Sequence, residues 1–101
     1  MSRELLYRSV ALTDLDGIFD FIANHNPVRA GTYIDDIQDA CAQLRDTPMM
    51  GVARPAFGHE VRVLNLWRRI VVVYQVGPDA VTILRVFGAG RDYEALMRQD
   101  A

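Results

Sequence analysis

Hydrophobic residues recur at helical spacing along two stretches in the first half of the chain. Ser9 offers a hydroxyl cap for a first helix, and the Asn-His-Asn run at residues 24–26 ends it. Asn26 and Pro27 are typical of the cap and first position of a second helix, which Pro48 terminates. Each stretch places its apolar residues on one helix face: Ala11, Leu15, Ile18, Phe19 and Ile22, then Ala30, Tyr33, Ile34, Ile37, Cys41 and Leu44. Two amphipathic helices with so short a link are predicted to form an antiparallel hairpin.

Strand patterns dominate the rest of the chain. Residues 4–8 form a short apolar segment suited to a strand, and the Gly- and Pro-containing residues 49–59 are predicted to be a loop. Asp92 is placed to cap a last short helix that ends near residue 99. Three runs rich in β-branched residues lie between the loop and this last helix, at 61–66, 69–76 and 81–87. Trp67-Arg68 and Gly77-Pro78-Asp79 separate them. The order β-α-α-β-β-β(-α) predicts an α+β fold, with the helical hairpin on one face of a small, twisted, antiparallel-rich sheet of four strands.

Alternation along the strands assigns side chains to the two faces of the sheet. Within residues 69–76, one face is expected to lie beneath the helices and the other to be open: Ile70, Val72, Tyr74 and Val76, against Arg69, Val71, Val73 and Gln75. Strict alternation in the last strand places two further sets of residues on opposite faces of the sheet. One set is Thr82, Leu84 and Val86, and the other is Val81, Ile83, Arg85 and Phe87. Arg85 is predicted on the open side. Two valines at the centre of that face indicate a covered surface rather than a hydrated one.

Composition narrows the classes of protein that fit. The chain has 101 residues with 50% hydrophobic and 24% charged, which predicts a single domain over residues 1–101. Its one cysteine, Cys41, excludes an internal disulfide and a Cys-rich zinc site. The longest apolar run, residues 70–74, is too short to cross a membrane, and no secretory signal is visible, so we expect a cytoplasmic protein without cofactor or metal.

Charge is unevenly distributed and lysine is absent. Residues 1–50 hold four arginines and eight acidic residues, whereas residues 51–101 hold seven arginines and five acidic residues. Without lysine, the chain has no side-chain amine for a Schiff base or a lysine general base. The net charge of −2 argues against strong non-specific binding of nucleic acid, and no specific nucleic-acid binding is expected.

An ordered set of residues along the chain resembles a known family. The set comprises Ser9, Ala11, Asp14-Leu15, Ile18, Asn26-Pro27, Ala30, residues 44–48, Gly51, Arg54, Arg62, residues 70–74, residues 83–86 and Gly90-Arg91-Asp92. In this set the chain resembles the ParE branch of the RelE/ParE superfamily, the toxins of type II toxin–antitoxin (plasmid stabilisation) modules. The resemblance implies the β-α-α-β-β-β fold, a ParD-like antitoxin that forms a hetero-oligomer with the toxin, and DNA gyrase as the target.

The other branch of the superfamily, similar to RelE, consists of ribosome-dependent mRNA endonucleases. Cleavage of RNA by its own 2′-hydroxyl needs groups that accept and donate protons and cations that stabilise the phosphate. In this chain Val71 stands where such enzymes carry an arginine on the third strand, and Met97 stands near the place of their C-terminal tyrosine, although Tyr93 is close. Of the endonuclease residues that can be aligned with this chain, only Arg91 is retained. We therefore predict a protein-binding toxin without catalytic residues, and leave two alternatives: a RelE-like endonuclease, or an inactivated toxin kept as an interaction module.

Several residues are candidates for binding the target or the antitoxin. Trp67, Arg68 and Arg69 have the composition of an interface hot spot, although they would equally fit a hairpin turn with a core tryptophan. Arg85 between apolar neighbours needs either a partner protein or a carboxylate such as Asp92 or Glu60. The candidate set is completed by Arg62, Val71 and Arg91. His25, His59, Cys41 and the acidic residues Asp35, Asp36 and Asp39 are interpreted as ordinary turn, loop, core and surface residues.

Overall fold

A computed structural model describes residues 3–100, with five strands and three α-helices in that range. In chain order these are β1 (Glu4–Tyr7), α1 (Ser9–Ala23), α2 (Pro27–Gln43), β2 (Val52–Ala53), β3 (Val61–Leu66), β4 (Ile70–Val76), β5 (Ala80–Phe87) and α3 (Tyr93–Asp100). Short 3₁₀ turns at Pro48–Met50 and Pro55–Phe57 flank β2. The predicted helical hairpin, meander and last helix are confirmed. None of the helices within residues 3–100 is long and apolar enough to span a membrane.

Two of the three predicted N-terminal helix caps are confirmed. The Asn26 side chain accepts a hydrogen bond from the backbone N–H of Arg29 (3.1 Å), and that of Asp92 accepts one from Ala95 (3.2 Å). Ser9, however, is the first residue of α1 rather than its cap, so the prediction of a Ser9 cap is wrong. The cap position belongs to Arg8, whose side chain makes no capping hydrogen bond.

The sheet is mixed and has the strand order β1-β5-β4-β3-β2. β3, β4 and β5 pair antiparallel, as the short turns predicted, whereas β1 pairs parallel with β5. β2 pairs antiparallel with β3, which makes five strands instead of the predicted four. A two-residue strand has no room for alternation, and it lies in the segment that glycine and proline marked as a loop.

Two apolar cores lie on opposite faces of the sheet. Beneath α1 and α2, the core contains the four β4 residues that were predicted there, together with Ile37 and Cys41. The second core is built around Val73 and Val63, which pack with Leu84, Phe87 and Met97. The prediction of a covered second face is confirmed, since Val73 is fully buried. Its cover includes α3 of the same chain.

A β-bulge in β5 breaks the alternation that the sequence predicted. Val73 pairs with Arg85 and Tyr74 pairs with Ile83, so Leu84 is an extra residue between them. Val86 therefore joins Ile83 in the core beneath the helices, while Leu84 joins Phe87 on the other face. The predicted grouping of Leu84 with Val86 is wrong for this reason.

Alkaline pH is expected to destabilise the fold through Cys41 and Tyr7. Burial raises the pKa of the Cys41 thiol to about 11 and, together with the adjacent thiol, raises the pKa of the Tyr7 hydroxyl further above its ordinary value. Both groups then hold their protons more tightly in the folded chain than in the unfolded one. The free energy of unfolding should fall as the pH rises from about 9 to 11, measured by urea titration. Cys41→Ala should make this slope shallower, and an unchanged slope would contradict the assignment.

Candidate functional site

A groove opens where the helical hairpin passes the end of the sheet. Two contacts hold α1 beside the end of β5. The Asp14 carboxylate accepts a hydrogen bond from the Val86 N–H (2.9 Å), and Ile18 lies against Gly88. Between α1, α2, the β3–β4 turn and the segment after β5, a cavity of about 1340 Å³ remains. We call it the hairpin groove. Its apolar lining includes Ile18, Phe21, Ile22, Tyr33, Leu66 and Trp67.

Aromatic and cationic side chains stack along one wall of the hairpin groove. The Tyr33 and Trp67 ring centroids are 5.7 Å apart, and the Arg29 guanidinium lies 5.1 Å from the Tyr33 ring centroid. Arg29 also forms an ion pair with Asp36 (3.3 Å). Trp67 remains 51% exposed and Phe21 70% exposed. Of the two alternatives for Trp67, the core tryptophan is thus wrong, and the turn presents the side chain to the groove.

The β3–β4 turn holds two residues in an unfavourable backbone conformation. Trp67 and Arg68 have φ values of 55° and 58°, and the Arg69 N–H donates to the Leu66 carbonyl (2.9 Å). Positive φ at both central positions is typical of a type I′ turn, which normally carries Asn-Gly. A tryptophan and an arginine there are strained, and strained backbone often marks a functional segment.

Arg68→Gly should therefore stabilise the protein. Glycine adopts positive φ without a steric penalty, so we expect a gain of about 1 kcal/mol in the free energy of unfolding. Thermal unfolding should shift upward by about 5 °C for a domain of this size. Arg69→Gly is the matched control, because Arg69 does not have a positive φ and should lose stability instead. Equal shifts in the two variants would contradict the strain at Arg68.

The seven candidate residues divide into two groups in the structure. Trp67, Arg69 and Arg91 line the hairpin groove, with Arg68 beside them in the turn. The other three lie elsewhere: Arg62 donates to the Gly51 carbonyl (2.7 Å), Val71 packs in the second core, and Arg85 pairs with a carboxylate.

Arg85 and Asp14 form a two-point ion pair between β5 and α1. Arg85 Nε lies 2.8 Å from Asp14 Oδ2, and Nη2 lies 3.0 Å from Oδ1. Both side chains are largely buried, and Asp14 also accepts from the Val86 N–H. A carboxylate was expected beside Arg85, but neither Asp92 nor Glu60 supplies it. The Arg85 guanidinium also lies 4.7 Å from the Phe87 ring centroid.

Three groups with acid–base or phosphate-binding chemistry lie apart in the described part of the chain. The Tyr93 hydroxyl accepts a hydrogen bond from Arg54 (3.2 Å), which also pairs with Glu94. His59 lines a separate cavity of about 540 Å³ with Arg3 and Glu60, whereas Arg91 lines the hairpin groove. Residues 3–100 contain no group of three or more metal-ligating side chains that could hold an ion.

Sequence reasoning missed three residues of the hairpin groove and the contacts of Arg54. Tyr33 was placed on the apolar face of the second helix without a binding role, and Arg29 and Phe21 were not singled out. Phe21 lies off the apolar stripe of α1, and a large apolar residue off the stripe is the signal that could have found it. Arg54 contacts α3 forty residues further along, and no local pattern predicts that contact.

A helical hairpin over a mixed five-stranded sheet, with an open groove beside the hairpin, defines a small α+β domain. A solved structure titled "Chromosomal ParDE TA system from P. aeruginosa" has this fold, with a TM-score of 0.74 and 27% sequence identity over 87% of this chain and 97% of that chain. The family described as "ParE toxin of type II toxin-antitoxin system, parDE" matches residues 5–93, and the chain belongs to this family. No curated protein gives a significant sequence match.

Proposed function

We propose that this ParE-family toxin stops growth by binding DNA gyrase, and that a ParD-like antitoxin neutralises it in a hetero-oligomer. Membership of the family over residues 5–93 supports the toxin role, and the structural neighbour comes from a ParDE system. Gyrase acts on chromosomal DNA, so the toxin would work in the cytoplasm. It would act by occupying its target rather than by a chemical step.

The packing of α3 on the sheet is the observation that favours binding over catalysis. An endonuclease of the RelE branch would need this face open to RNA, with cations and proton donors upon it. Here Val71 and Val73 pack with Phe87 and Met97 in an apolar core. The Tyr93 hydroxyl is engaged by Arg54, and lysine is absent from the chain. The apolar packing of this face and the engagement of Tyr93 therefore support binding over phosphate chemistry.

The test is induction of the toxin alone and together with the product of the neighbouring gene. Toxin alone should abolish colony formation and induce the DNA-damage response, while total mRNA stays intact. Co-expression of the neighbouring product should restore growth, and the two proteins should purify as one complex. With purified gyrase, the toxin should inhibit supercoiling and increase the amount of cleaved DNA.

Two results would contradict the proposal in different ways. Codon-aligned cuts in mRNA during in vitro translation would identify an endonuclease. Normal growth on induction, with folded toxin confirmed by circular dichroism, would identify an inactive interaction module. Arg98→Glu serves as the control substitution for this experiment. Arg98 is exposed on α3 and lies outside the hairpin groove, so the variant should remain as toxic as the unaltered chain.

A further inference from the structure

We infer that α3 is a lid, which opens and closes over the second face of the sheet while the rest of the fold stays intact. The second face is the side of the sheet that carries the second core, opposite the helical hairpin. The region that matches the family model ends at residue 93, so all but the first residue of α3 lies beyond it. The inference does not depend on the proposed target. Three features carry it: the separation of the two cores, the attachment of α3 and the segment that joins α3 to β5.

The core beneath α3 is separate from the core beneath the helical hairpin. Met97 packs with Val73 and Phe87 on the second face, whereas Ile37 and Cys41 pack on the opposite face. No described residue of α3 belongs to the core beneath the hairpin. Displacement of α3 therefore uncovers the second core and leaves the hairpin packed, which is the condition for a local opening distinct from global unfolding.

Side chains, rather than backbone hydrogen bonds, attach α3 to the sheet. Within residues 3–100, no backbone hydrogen bond joins α3 to a strand. The Arg54 guanidinium donates to the Tyr93 hydroxyl and to the Glu94 carboxylate, each at 3.2 Å, and we call these two contacts the latch. The Arg54 and Glu94 side chains are 29% and 46% exposed, so water and salt compete with their ion pair. Met97 is buried, but Tyr93 and Leu96 are only partly buried, so the apolar attachment is small as well.

The segment between β5 and α3 has the composition of a hinge. Gly88 and Gly90 lie in it, and Gly90 has a φ of 81°. Glycine changes its backbone conformation at little steric cost, and nothing lies within 4 Å of a Cβ added at Gly90. The Asp92 side chain accepts a hydrogen bond from the Ala95 N–H, which caps α3 from within its own segment. The helix therefore keeps its cap when it moves away from the sheet.

The apolar surface under α3 continues beyond it at both edges of the sheet. Val52, on edge strand β2, lies opposite Val63 of the second core. Leu6, on edge strand β1, lies between two residues that pack in the core beneath the hairpin, so alternation places its side chain on the second face. Val52 and Leu6 are 69% and 42% exposed, whereas Val73 between them is fully buried. A partner that binds across this row must first displace α3, so its apparent affinity is reduced by the fraction of open chains and the lid regulates access to the face.

Met97 and Cys41 report separately on the two cores. Their exposed fractions are 6% and 0%, so each side chain reacts freely only when its own core opens. Dilute hydrogen peroxide converts the Met97 thioether to the sulfoxide, and a maleimide labels the Cys41 thiol in a separate reaction. Tryptic peptides separate Met97 from Met50, which is 47% exposed and serves as the reference within the same chain. For each probe, the protection factor is the reaction rate in the urea-unfolded chain divided by the rate in the native chain.

We expect the protection factor of Met97 to be at least about tenfold smaller than that of Cys41. Opening of an eight-residue lid exposes little surface, so the Met97 protection factor should stay nearly constant at urea concentrations below the unfolding transition. The Cys41 protection factor should fall steeply over the same range, because global unfolding exposes much more surface.

Three single variants separate the lid from global stability. Glu94→Gln removes the charge of the latch and should lower Met97 protection by about threefold, and salt at about 1 M should do the same to the unaltered chain. Arg98→Gln is the matched control on α3. Arg98 is exposed and has no ion pair among the described residues, so this variant should change Met97 protection by less than about 1.5-fold. Gly31→Ala stabilises α2 and should raise Cys41 protection by about threefold while Met97 protection stays unchanged, because the open and closed states both contain α2.

Four results would overturn the inference. Equal protection of Met97 and Cys41, or an equal increase of both in Gly31→Ala, would show that α3 leaves the sheet only by global unfolding. Met97 oxidation as fast as that of Met50 would show that α3 does not cover the second core. Unchanged Met97 protection in Glu94→Gln, with folding confirmed by circular dichroism, would show that the latch does not hold α3. None of these measurements involves gyrase, so their outcome is independent of the proposed target.

Discussion

Asp14→Ala should lower the free energy of unfolding by about 3 kcal/mol, the low end of the cost of breaking a buried ion pair. The substitution removes two contacts to Arg85, at 2.8 and 3.0 Å, and the acceptor of the Val86 N–H. The Arg85 and Asp14 side chains are only 12% and 15% exposed, so water replaces the lost carboxylate poorly. Thermal unfolding should fall by more than about 10 °C for a domain of this size.

The matched control for Asp14 is Asp16→Ala, two residues along α1. Asp16 is exposed and has no ion pair among the described residues, so its loss should change stability by less than about 0.5 kcal/mol. In a double-mutant cycle with Arg85→Ala, we expect a coupling energy of about 2 kcal/mol between the two positions. Additive losses would show that the ion pair itself contributes nothing.

Gly51→Ala should cost about 3 kcal/mol, near the upper end of the range for overpacked interiors. A Cβ atom at this position would lie 2.7 Å from the Tyr74 hydroxyl oxygen and 2.8 Å from the Val63 carbonyl oxygen. The Tyr74 ring is fully buried, and its hydroxyl accepts from the Gly51 N–H and donates to the Pro48 carbonyl. Displacing either the Tyr74 ring or the Val63 carbonyl would be energetically unfavourable. The backbone φ of −80° at Gly51 suits any residue, so the cost is purely steric.

Glycines inside the helices provide the control for Gly51. Nothing lies within 4 Å of a Cβ added at Gly17 or Gly31. Alanine at either position should therefore stabilise the fold by about 0.8 kcal/mol through its higher helix propensity. Urea unfolding of the three single variants measures both the expected loss of stability at Gly51 and the expected gains at Gly17 and Gly31. A Gly51→Ala variant as stable as Gly31→Ala would contradict the close approach to Tyr74.

A larger part of the fold than of the site could be predicted from the sequence. The helical spacing of Ala30, Ile37 and Cys41 and the alternation of Ile70 with Val72 are local patterns, and each placed its element and its buried face correctly. At the site, the Trp67-Arg68-Arg69 cluster was recognised by composition. That Trp67 and Arg69 line the hairpin groove together with Phe21 and Arg91 depends on three segments that are distant in the sequence.

The tertiary structure alone decided the partner of Arg85 and the faces of β5. Asp14 lies 71 residues before Arg85, and a contact at that distance leaves no periodic signal in the sequence. The Leu84 bulge arises from pairing with β4, and one extra residue exchanges the faces of Leu84 and Val86.

The amino-acid sequence by itself determined the elements, their order and the family, because capping residues, hydrophobic period and motif order are properties of neighbouring positions. The strand β2, the cover that α3 provides for the second face and the hairpin groove were decided only on folding. Each depends on which surfaces meet once the chain is compact, and packing between distant segments is not encoded in any single stretch.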